Sequence, residues 1–225
     1  MQIFKFKTMY NPENYHALCD ELAARHSVFK TIITQHGYPL YQTREASFIT
    51  LLRLILEQQV SLSSAKACFE KLKTITKNVA AQDICTESIL KLSDDDFRSA
   101  GISRQKIVYL RVLATAIEAK TLDLDALHTL NVEEVRTQLT AIKGIGNWTA
   151  DVFLMECLGC SDIFPIGDVA LRSAMKKALQ LEKETTHETL VEIAEAYRPL
   201  RSIATFIFWH AYVSDKGIDL KAMLS

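Results

Sequence analysis

The chain has 225 residues, of which 48% are hydrophobic and 24% charged, and this length is enough for one sizeable core or two small lobes. Seven glycines and four prolines are too few for a collagenous, disordered or turn-rich β protein, and charges interrupt the apolar runs before they reach membrane-spanning length. The formal net charge of −1 excludes a strongly basic nucleic-acid-binding domain, so any charge that serves DNA binding must be local.

Apolar residues recur at helical spacing along almost the whole chain, and alternation of period two never lasts more than a few residues. This pattern predicts an all-α fold, in which turns bearing glycine and proline separate the helices. No linker is rich enough to divide independent domains, so we expect two helical lobes, lobe A over about 1–45 plus 165–225 and lobe B over about 46–164. The predicted helices, in chain order, are 12–25, 28–36, 45–57, 62–75, 104–119, 132–140, 147–158, 168–180, 187–196 and 200–214.

The beginning of the sequence shows no secretory pattern, so we expect a cytoplasmic protein, associated with the nucleoid in a bacterium or located in the nucleus of a eukaryote. Five scattered cysteines argue against a disulfide framework. Cys157 and Cys160 form a C-x-x-C pair without a second pair, and we interpret them as small hydrophobic residues at a helix end. The histidines show no metal-ligand spacing, although His210 follows Trp209 and could line a pocket; we expect no metal site.

A turn with two glycines, Lys143-Gly144-Ile145-Gly146, joins two of the predicted helices. Glycines allow positive φ and close backbone approach, so this turn can present free amides at a helix N-terminus, where an anion is stabilised. A phosphate held there needs no basic side chain, and Lys143 adds local charge. The alternative is a plain corner between helices, with glycines that serve only packing.

Asp168 follows the turn Phe164-Pro165-Ile166-Gly167 and begins an amphipathic helix. An aspartate at this place is an ordinary helix N-cap. It is also a candidate acid, because a fixed carboxylate can stabilise positive charge that develops in a transition state.

The string K-G-I-G-N-W-T-A-D followed by P-I-G-D-V-A-L-R resembles the helix-hairpin-helix DNA glycosylases, in particular their alkylbase branch, DNA-3-methyladenine glycosylase II. The separation of 20 residues between Trp148 and Asp168 fits that family, and the similarity runs from about Phe48 to Trp209. The resemblance implies a two-lobed fold with the active site in the cleft between the lobes. It also implies that the hairpin grips the DNA backbone through Lys143, Gly144, Ile145 and Gly146, and that Asp168 is catalytic.

The resemblance assigns further roles near the hairpin. Members that also cleave the strand carry a lysine where this chain has Trp148, and an indole cannot form their Schiff base, so a monofunctional enzyme is implied. Trp148 and Trp209 are expected in the base pocket, where an indole attracts a cationic base; core packing is the alternative for both. Val152 stands where a close bacterial relative would offer a tyrosine.

Two further groups are candidates for DNA contact. Leu56-Glu57-Gln58-Gln59-Val60-Ser61 resembles the family's early helix-turn, in which Gln59 is the expected wedge at the gap left by the flipped base, although the family shows glycine where Glu57 stands. Arg104 and Lys106 lie in the most basic local run and would serve a second phosphate site. A solvated helix face is the alternative for that run.

The sequence therefore predicts a monofunctional DNA glycosylase that hydrolyses the N-glycosidic bond of alkylated purines, such as 3-methyladenine and 7-methylguanine. Its partner is expected to be double-stranded DNA that contains alkylated bases, and we expect a monomer with no metal or organic cofactor and no membrane contact. A structural monovalent cation at the hairpin is implied by the resemblance alone. The alternatives are a glycosylase for uracil, mismatched thymine or oxidised purines, a non-catalytic helix-hairpin-helix protein that binds DNA structure, and a helical protein–protein adaptor.

Overall fold

The structure, a computed structural model, describes residues 9–219, and this part of the chain is built from helices, which confirms the predicted all-α class. Its one β-bridge joins Met9 to Cys160. A short 3-10 turn spans Ala126–Thr129. The α-helices are α1 (Tyr15–Arg25), α2 (Ser27–His36), α3 (Phe48–Glu57), α4 (Leu62–Ala80), α5 (Thr86–Lys91), α6 (Asp94–Ser99), α7 (Arg104–Glu118), α8 (Val132–Thr140), α9 (Asn147–Glu156), α10 (Val169–Ala178), α11 (His187–Glu195) and α12 (Arg201–Asp215).

Two short helices, α5 and α6, lie in a segment where none was predicted. Ser93 is the N-cap of α6, and the acidic run that follows it forms the first turn of this helix. Ser93 Oγ accepts from the amide of Asp96, while the Asp96 carboxylate accepts from the amide of Ser93, and this pair of bonds forms a capping box. Helix α4 also continues to Ala80, five residues beyond its predicted end.

The described residues form two compact units, the first made of 44–153 and the second of 9–43 and 154–219. The boundaries between the predicted lobes lie at about residues 45 and 164. In the structure, the chain passes from one unit to the other after Thr43 and after Phe153.

In the first unit, α3 is the central helix and packs against α4 and α7. Its sequence is almost entirely apolar, and Leu51, Leu52, Leu54 and Ile55 have no exposed surface. A helix that is apolar on all sides is stable only when other elements cover it. The elements that pack around α3 therefore hold its C-terminal end in a fixed position, and this end leads to Gln58 and Gln59.

In the second unit, α12 packs against α1, α2 and α10. Its core is rich in aromatic rings: Phe208 lies 5.2 Å from Phe29, and Phe206 lies 6.1 Å from Tyr15, between ring centroids. Such tilted and edge-on pairs add to the stabilisation that burial alone gives. The packed α12 carries Trp209 on the turn that follows Phe206.

No helix within residues 9–219 combines the length and the apolar character that crossing a bilayer requires. The same residues hold no group of three or more histidine, cysteine or acidic side chains suited to a metal ion. None of the five cysteines, all within residues 9–219, forms a disulfide; Cys160 is buried and Cys157 half-buried, just after the end of α9.

Candidate active site

Asp168 is the N-cap of α10, as the structural alternative in the sequence predicted. Its Oδ1 accepts a hydrogen bond of 2.7 Å from the amide of Leu171. The turn before it is closed by a bond of 2.8 Å from the Asp168 amide to the carbonyl of Pro165. The carboxylate is half-buried at the start of a helix, where the backbone amides and the helix dipole stabilise negative charge.

The indole of Trp209 binds the same carboxylate. Its Nε1 donates a hydrogen bond of 3.0 Å to Oδ1 of Asp168, and its ring is half-buried with an edge-on contact of 5.8 Å to Phe206. The acid and one of the two predicted pocket tryptophans are thus brought together within the second unit. Stacking of Trp209 on a base stays a prediction, but its hydrogen bond to the acid is a role that sequence reasoning missed, because 41 residues separate the two.

The glycine turn at 141–146 joins α8 to α9 in the first unit, as predicted. Ile145 is buried, and its amide closes the turn with a bond of 3.0 Å to the carbonyl of Ile142. The amides of Gly144 and Gly146 have no hydrogen-bond partner among residues 9–219, and Lys143 is exposed beside them. Two amides and an ammonium group at the start of a helix form a suitable seat for an anion.

Packing also requires one of these glycines. Gly144 has φ +100°, and a Cβ atom at this position would lie 2.2 Å from Cγ of Tyr109. At Gly146 φ is not positive, and no atom outside the adjacent residues lies within 4 Å of an added Cβ. The packing interpretation therefore holds for Gly144, whereas an anion-binding site at this turn stays a prediction.

Gln58, which the sequence reasoning did not single out, bonds directly to the hairpin. Its Nε2 donates to the carbonyl of Gly144 at 2.8 Å and to Oγ1 of Thr149 at 3.0 Å. The backbone carbonyl of Gln58 accepts a hydrogen bond of 2.9 Å from Nζ of Lys106. In the sequence, Gln58 and Gln59 form an adjacent pair, and a role in DNA contact was predicted for Gln59 alone.

Gln59, the predicted wedge, is exposed and has φ +58°, a left-handed conformation that is rare for a residue other than glycine. The neighbouring Glu57, where the family shows glycine, forms an ion pair of 3.1 Å with Arg44. Both side chains of this pair are largely buried, so it fixes the end of α3 in place of a flexible glycine. The strained backbone and the exposed side chain of Gln59 suit a residue that fills the gap left by a flipped base. This role of Gln59 stays a prediction.

The predicted second phosphate site at Arg104 and Lys106 stays a prediction, but parts of this region have structural roles. The amides of Gly101 and Ile102 donate to the carbonyls of Arg98 and Phe97 and so close the end of α6, instead of facing a ligand. Nζ of Lys106 binds the carbonyl of Leu56 at 2.7 Å as well as that of Gln58, and burial lowers the pKa of this ammonium group.

Other charges of that basic run also have protein partners. Arg98 pairs with Asp95, and Arg111 pairs with Asp94. Arg104 is exposed at the start of α7. For Arg104 and Lys106 a contact with DNA stays a prediction. The structural role of Lys106 is to bind the carbonyls at the end of α3.

Trp148 lies half-buried on the first turn of α9, with Val152 buried one turn later. In the first unit α9 is also linked to α8 by the ion pair of Arg136 with the buried Asp151. His210, which the sequence could place in a pocket, has its Nε2 2.9 Å from the carbonyl oxygen of His36.

The hairpin carbonyls have the chemistry that an alkali cation needs, since such hard cations take oxygen ligands. Of these carbonyls, those of Ile142 and Gly144 already accept hydrogen bonds from Ile145 and Gln58. A monovalent cation at the hairpin stays a prediction that rests on the donor type.

Residues 52–199 match the family described as "HhH-GPD superfamily base excision DNA repair protein", and this stretch includes Gln58, the glycine hairpin and Asp168. The chain belongs to the HhH-GPD superfamily. This confirms the resemblance drawn from the hairpin and the P-I-G-D segment. Trp209 lies beyond the matched stretch, but it donates a hydrogen bond to Asp168, which lies within it.

Several relatives of this HhH-GPD protein are named as DNA-3-methyladenine glycosylases. DNA-3-methyladenine glycosylase 1 of Schizosaccharomyces pombe is 30% identical over 160 residues, which are 71% of this chain and 69% of the relative. DNA-3-methyladenine glycosylase of Saccharomyces cerevisiae is 25% identical over 255 aligned positions, covering 93% of this chain and 84% of the relative. Two relatives from Bacillus subtilis are longer, and the matched parts are 57% and 41% of their lengths.

The fold agrees with this relationship. The structure of the Schizosaccharomyces pombe 3-methyladenine DNA glycosylase Mag1 in complex with abasic DNA superposes with a TM-score of 0.78 at 26% identity, and it covers 89% of this chain and 97% of that chain.

Proposed function

We propose that this protein is a monofunctional DNA glycosylase that removes alkylated purines from double-stranded DNA by hydrolysis of the N-glycosidic bond. The observation that carries the proposal is the Asp168 carboxylate, half-buried at the start of α10 and bound by the indole N–H of Trp209 at 3.0 Å. Membership in a superfamily of base excision DNA repair proteins, and relatives named as DNA-3-methyladenine glycosylases, support the reaction class.

The carboxylate suits the charge that this reaction develops. As the base departs with the bonding electron pair, the deoxyribose gains oxocarbenium character, which a fixed negative charge stabilises. Water then adds at C1′ and gives up a proton, which the carboxylate can accept. The two donors to Asp168, from Leu171 and Trp209, hold the carboxylate in one orientation before substrate arrives.

An alkylated purine such as 3-methyladenine or 7-methylguanine carries a positive charge while it is attached to the sugar. It leaves as a neutral base, so the reaction does not require a separate general acid. A single carboxylate is then sufficient, and the proposed chemistry uses no metal or organic cofactor. A cationic base is also attracted to an indole face by about 0.5–2 kcal/mol.

Trp148 supports a monofunctional reaction. Enzymes that cleave the strand use an amine that forms a Schiff base with the sugar, and an indole nitrogen cannot do so. Lys143 lies on the opposite side of the glycine pair from Trp148 in the sequence. We therefore expect an intact strand with an abasic site as the product.

The hairpin supports binding to the DNA backbone. The amides of Gly144 and Gly146 and the exposed Lys143 offer donors and charge to a phosphate, although the chain as a whole carries a net charge of −1. The complex of Mag1 with abasic DNA shows that a relative with this fold binds such DNA. We expect the affinity to fall with salt, as it does when phosphate contacts dominate.

The test is a panel of duplexes, each with one lesion: 7-methylguanine, 3-methyladenine, uracil, mismatched thymine or 8-oxoguanine. Release of free methylated purine, with strand breaks appearing only after alkali treatment, is the expected result. Release of only uracil, thymine or 8-oxoguanine would contradict the proposed substrate class. Tight binding without release of any base would instead favour a protein that only binds DNA.

A further inference from the structure

Gln58 links the turn after α3 to the glycine hairpin and to the helix that follows it. Its single amide nitrogen donates to the carbonyl of Gly144 at 2.8 Å and to Oγ1 of Thr149 at 3.0 Å. Thr149 is buried on the first turn of α9, so one side chain contacts both the hairpin and the helix that follows it.

These bonds fix the peptide between Gly144 and Ile145 at both ends. In a trans peptide the carbonyl and the amide point in opposite directions. Here the carbonyl of Gly144 is bound by Gln58, and the amide of Ile145 is bound by the carbonyl of Ile142 at 3.0 Å. Since this plane cannot rotate without breaking a bond, it restricts the motion of the two neighbouring peptides, which carry the amides of Gly144 and Gly146.

Gln58 is itself held by Lys106. Nζ of Lys106 donates to the carbonyls of Leu56 and Gln58, at 2.7 and 2.9 Å, at the end of α3, where helix carbonyls lack partners within the helix. A continuous path of hydrogen bonds therefore runs from α7 through Gln58 to the hairpin. Without Gln58 the carbonyl of Gly144 would lose this donor, and the turn would keep the bond from the amide of Ile145 to the carbonyl of Ile142.

We propose that Gln58 is a positioning residue that preorganises the hairpin amides for a DNA phosphate. The proposal rests on the proposed function, which supplies the phosphate. Donors that are already ordered bind an anion more tightly, because binding does not have to restrict them. Gln58 acts through Gly144 and Gly146 and not by contact with the reacting atoms.

The variants are Gln58→Met, which keeps the length of the side chain but lacks a donor, and Gln58→Ala. The matched control is Ser88→Ala, which removes a buried hydroxyl of the same unit that accepts from the amide of Cys85 at 2.9 Å, away from the hairpin. For each protein we would measure affinity for an abasic duplex, single-turnover base release at saturating enzyme, thermal unfolding, and ¹⁵N order parameters of the free protein.

Both Gln58 variants are expected to bind the duplex about tenfold more weakly, equivalent to about 1.4 kcal/mol. The rate of base release at saturation should change by less than threefold. The order parameters of Gly144 and Gly146 should fall from about 0.85 towards 0.6. Ser88→Ala should lower thermal stability about as much as the Gln58 variants do. It should leave both the affinity for the duplex and the order parameters of Gly144 and Gly146 unchanged.

Two measurements separate this proposal from the proposed function. Unchanged order parameters at Gly144 and Gly146 in the Gln58 variants would overturn the positioning role, whether or not the protein binds DNA. Wild-type affinity in those variants would overturn it while leaving the proposed function standing. A wild-type protein that binds no DNA would instead refute the proposed function, and the proposal would fall with it.

Discussion

Replacement of Gly144 by alanine tests the packing of the hairpin. The added Cβ would lie 2.2 Å from Cγ and 2.5 Å from Cβ of Tyr109, so the ring would have to move. Overpacking of this kind costs about 1–3 kcal/mol. The positive φ of +100° adds a penalty for an L residue, about 1–2 kcal/mol. Together the two effects predict that the free energy of unfolding falls by roughly 2–5 kcal/mol.

Thermal and denaturant unfolding measure this change. For a chain of this size each kcal/mol lowers the melting temperature by about 2–4 °C, so we expect a drop of roughly 4–20 °C. Gly146→Ala is the control: it meets no atom within 4 Å and should be as stable as wild type or more stable by up to about 1 kcal/mol. Adding Tyr109→Ala should recover part of the loss. A Gly144→Ala protein as stable as wild type would refute the reasoning.

Three further changes follow from the site. Trp209→Phe keeps a ring but removes the donor to Asp168, so base release should slow about 10- to 100-fold in single-turnover assays; an unchanged rate would contradict the orienting role. Gln59→Val places a β-branched residue at φ +58°, where such residues are less favourable than glutamine, and should lower the unfolding free energy by up to about 1 kcal/mol, whereas Gln59→Gly should not. Glu57→Ala removes an ion-pair partner of the largely buried Arg44 and should cost about 2 kcal/mol, and adding Arg44→Ala should cost less than the sum of the single changes.

The local features of the fold were predictable from the sequence. The apolar run of α3 and the turn at the hairpin glycines are recognisable from neighbouring residues, although the packing of Gly144 against Tyr109 is not. The same holds for Asp168, which follows a proline–glycine turn and caps α10 as such residues do. The six-residue helices α5 and α6 escaped, because hydrophobic periodicity needs a window of about 11–18 residues.

The contacts that complete the site could not be predicted in this way. Gln58 bonds to Gly144 across 86 residues and Trp209 to Asp168 across 41, and neither pair has a spacing that announces it. Lys106 looked like a charge for DNA because a basic run suggests a surface, but its ammonium group binds carbonyls at the end of α3. Sequence pattern shows which residues can do chemistry, whereas tertiary packing decides which of them meet.

The most direct test of the account is base release by Asp168→Asn. Asparagine keeps an oxygen that can cap α10 and accept from Trp209, so the variant should fold and bind an abasic duplex as wild type does. Only the charge is lost. We expect single-turnover release of 7-methylguanine to fall by about 10²–10³-fold, as when one electrostatic group that stabilises a transition state is removed. Release at the wild-type rate would contradict the assignment of Asp168 as the catalytic residue.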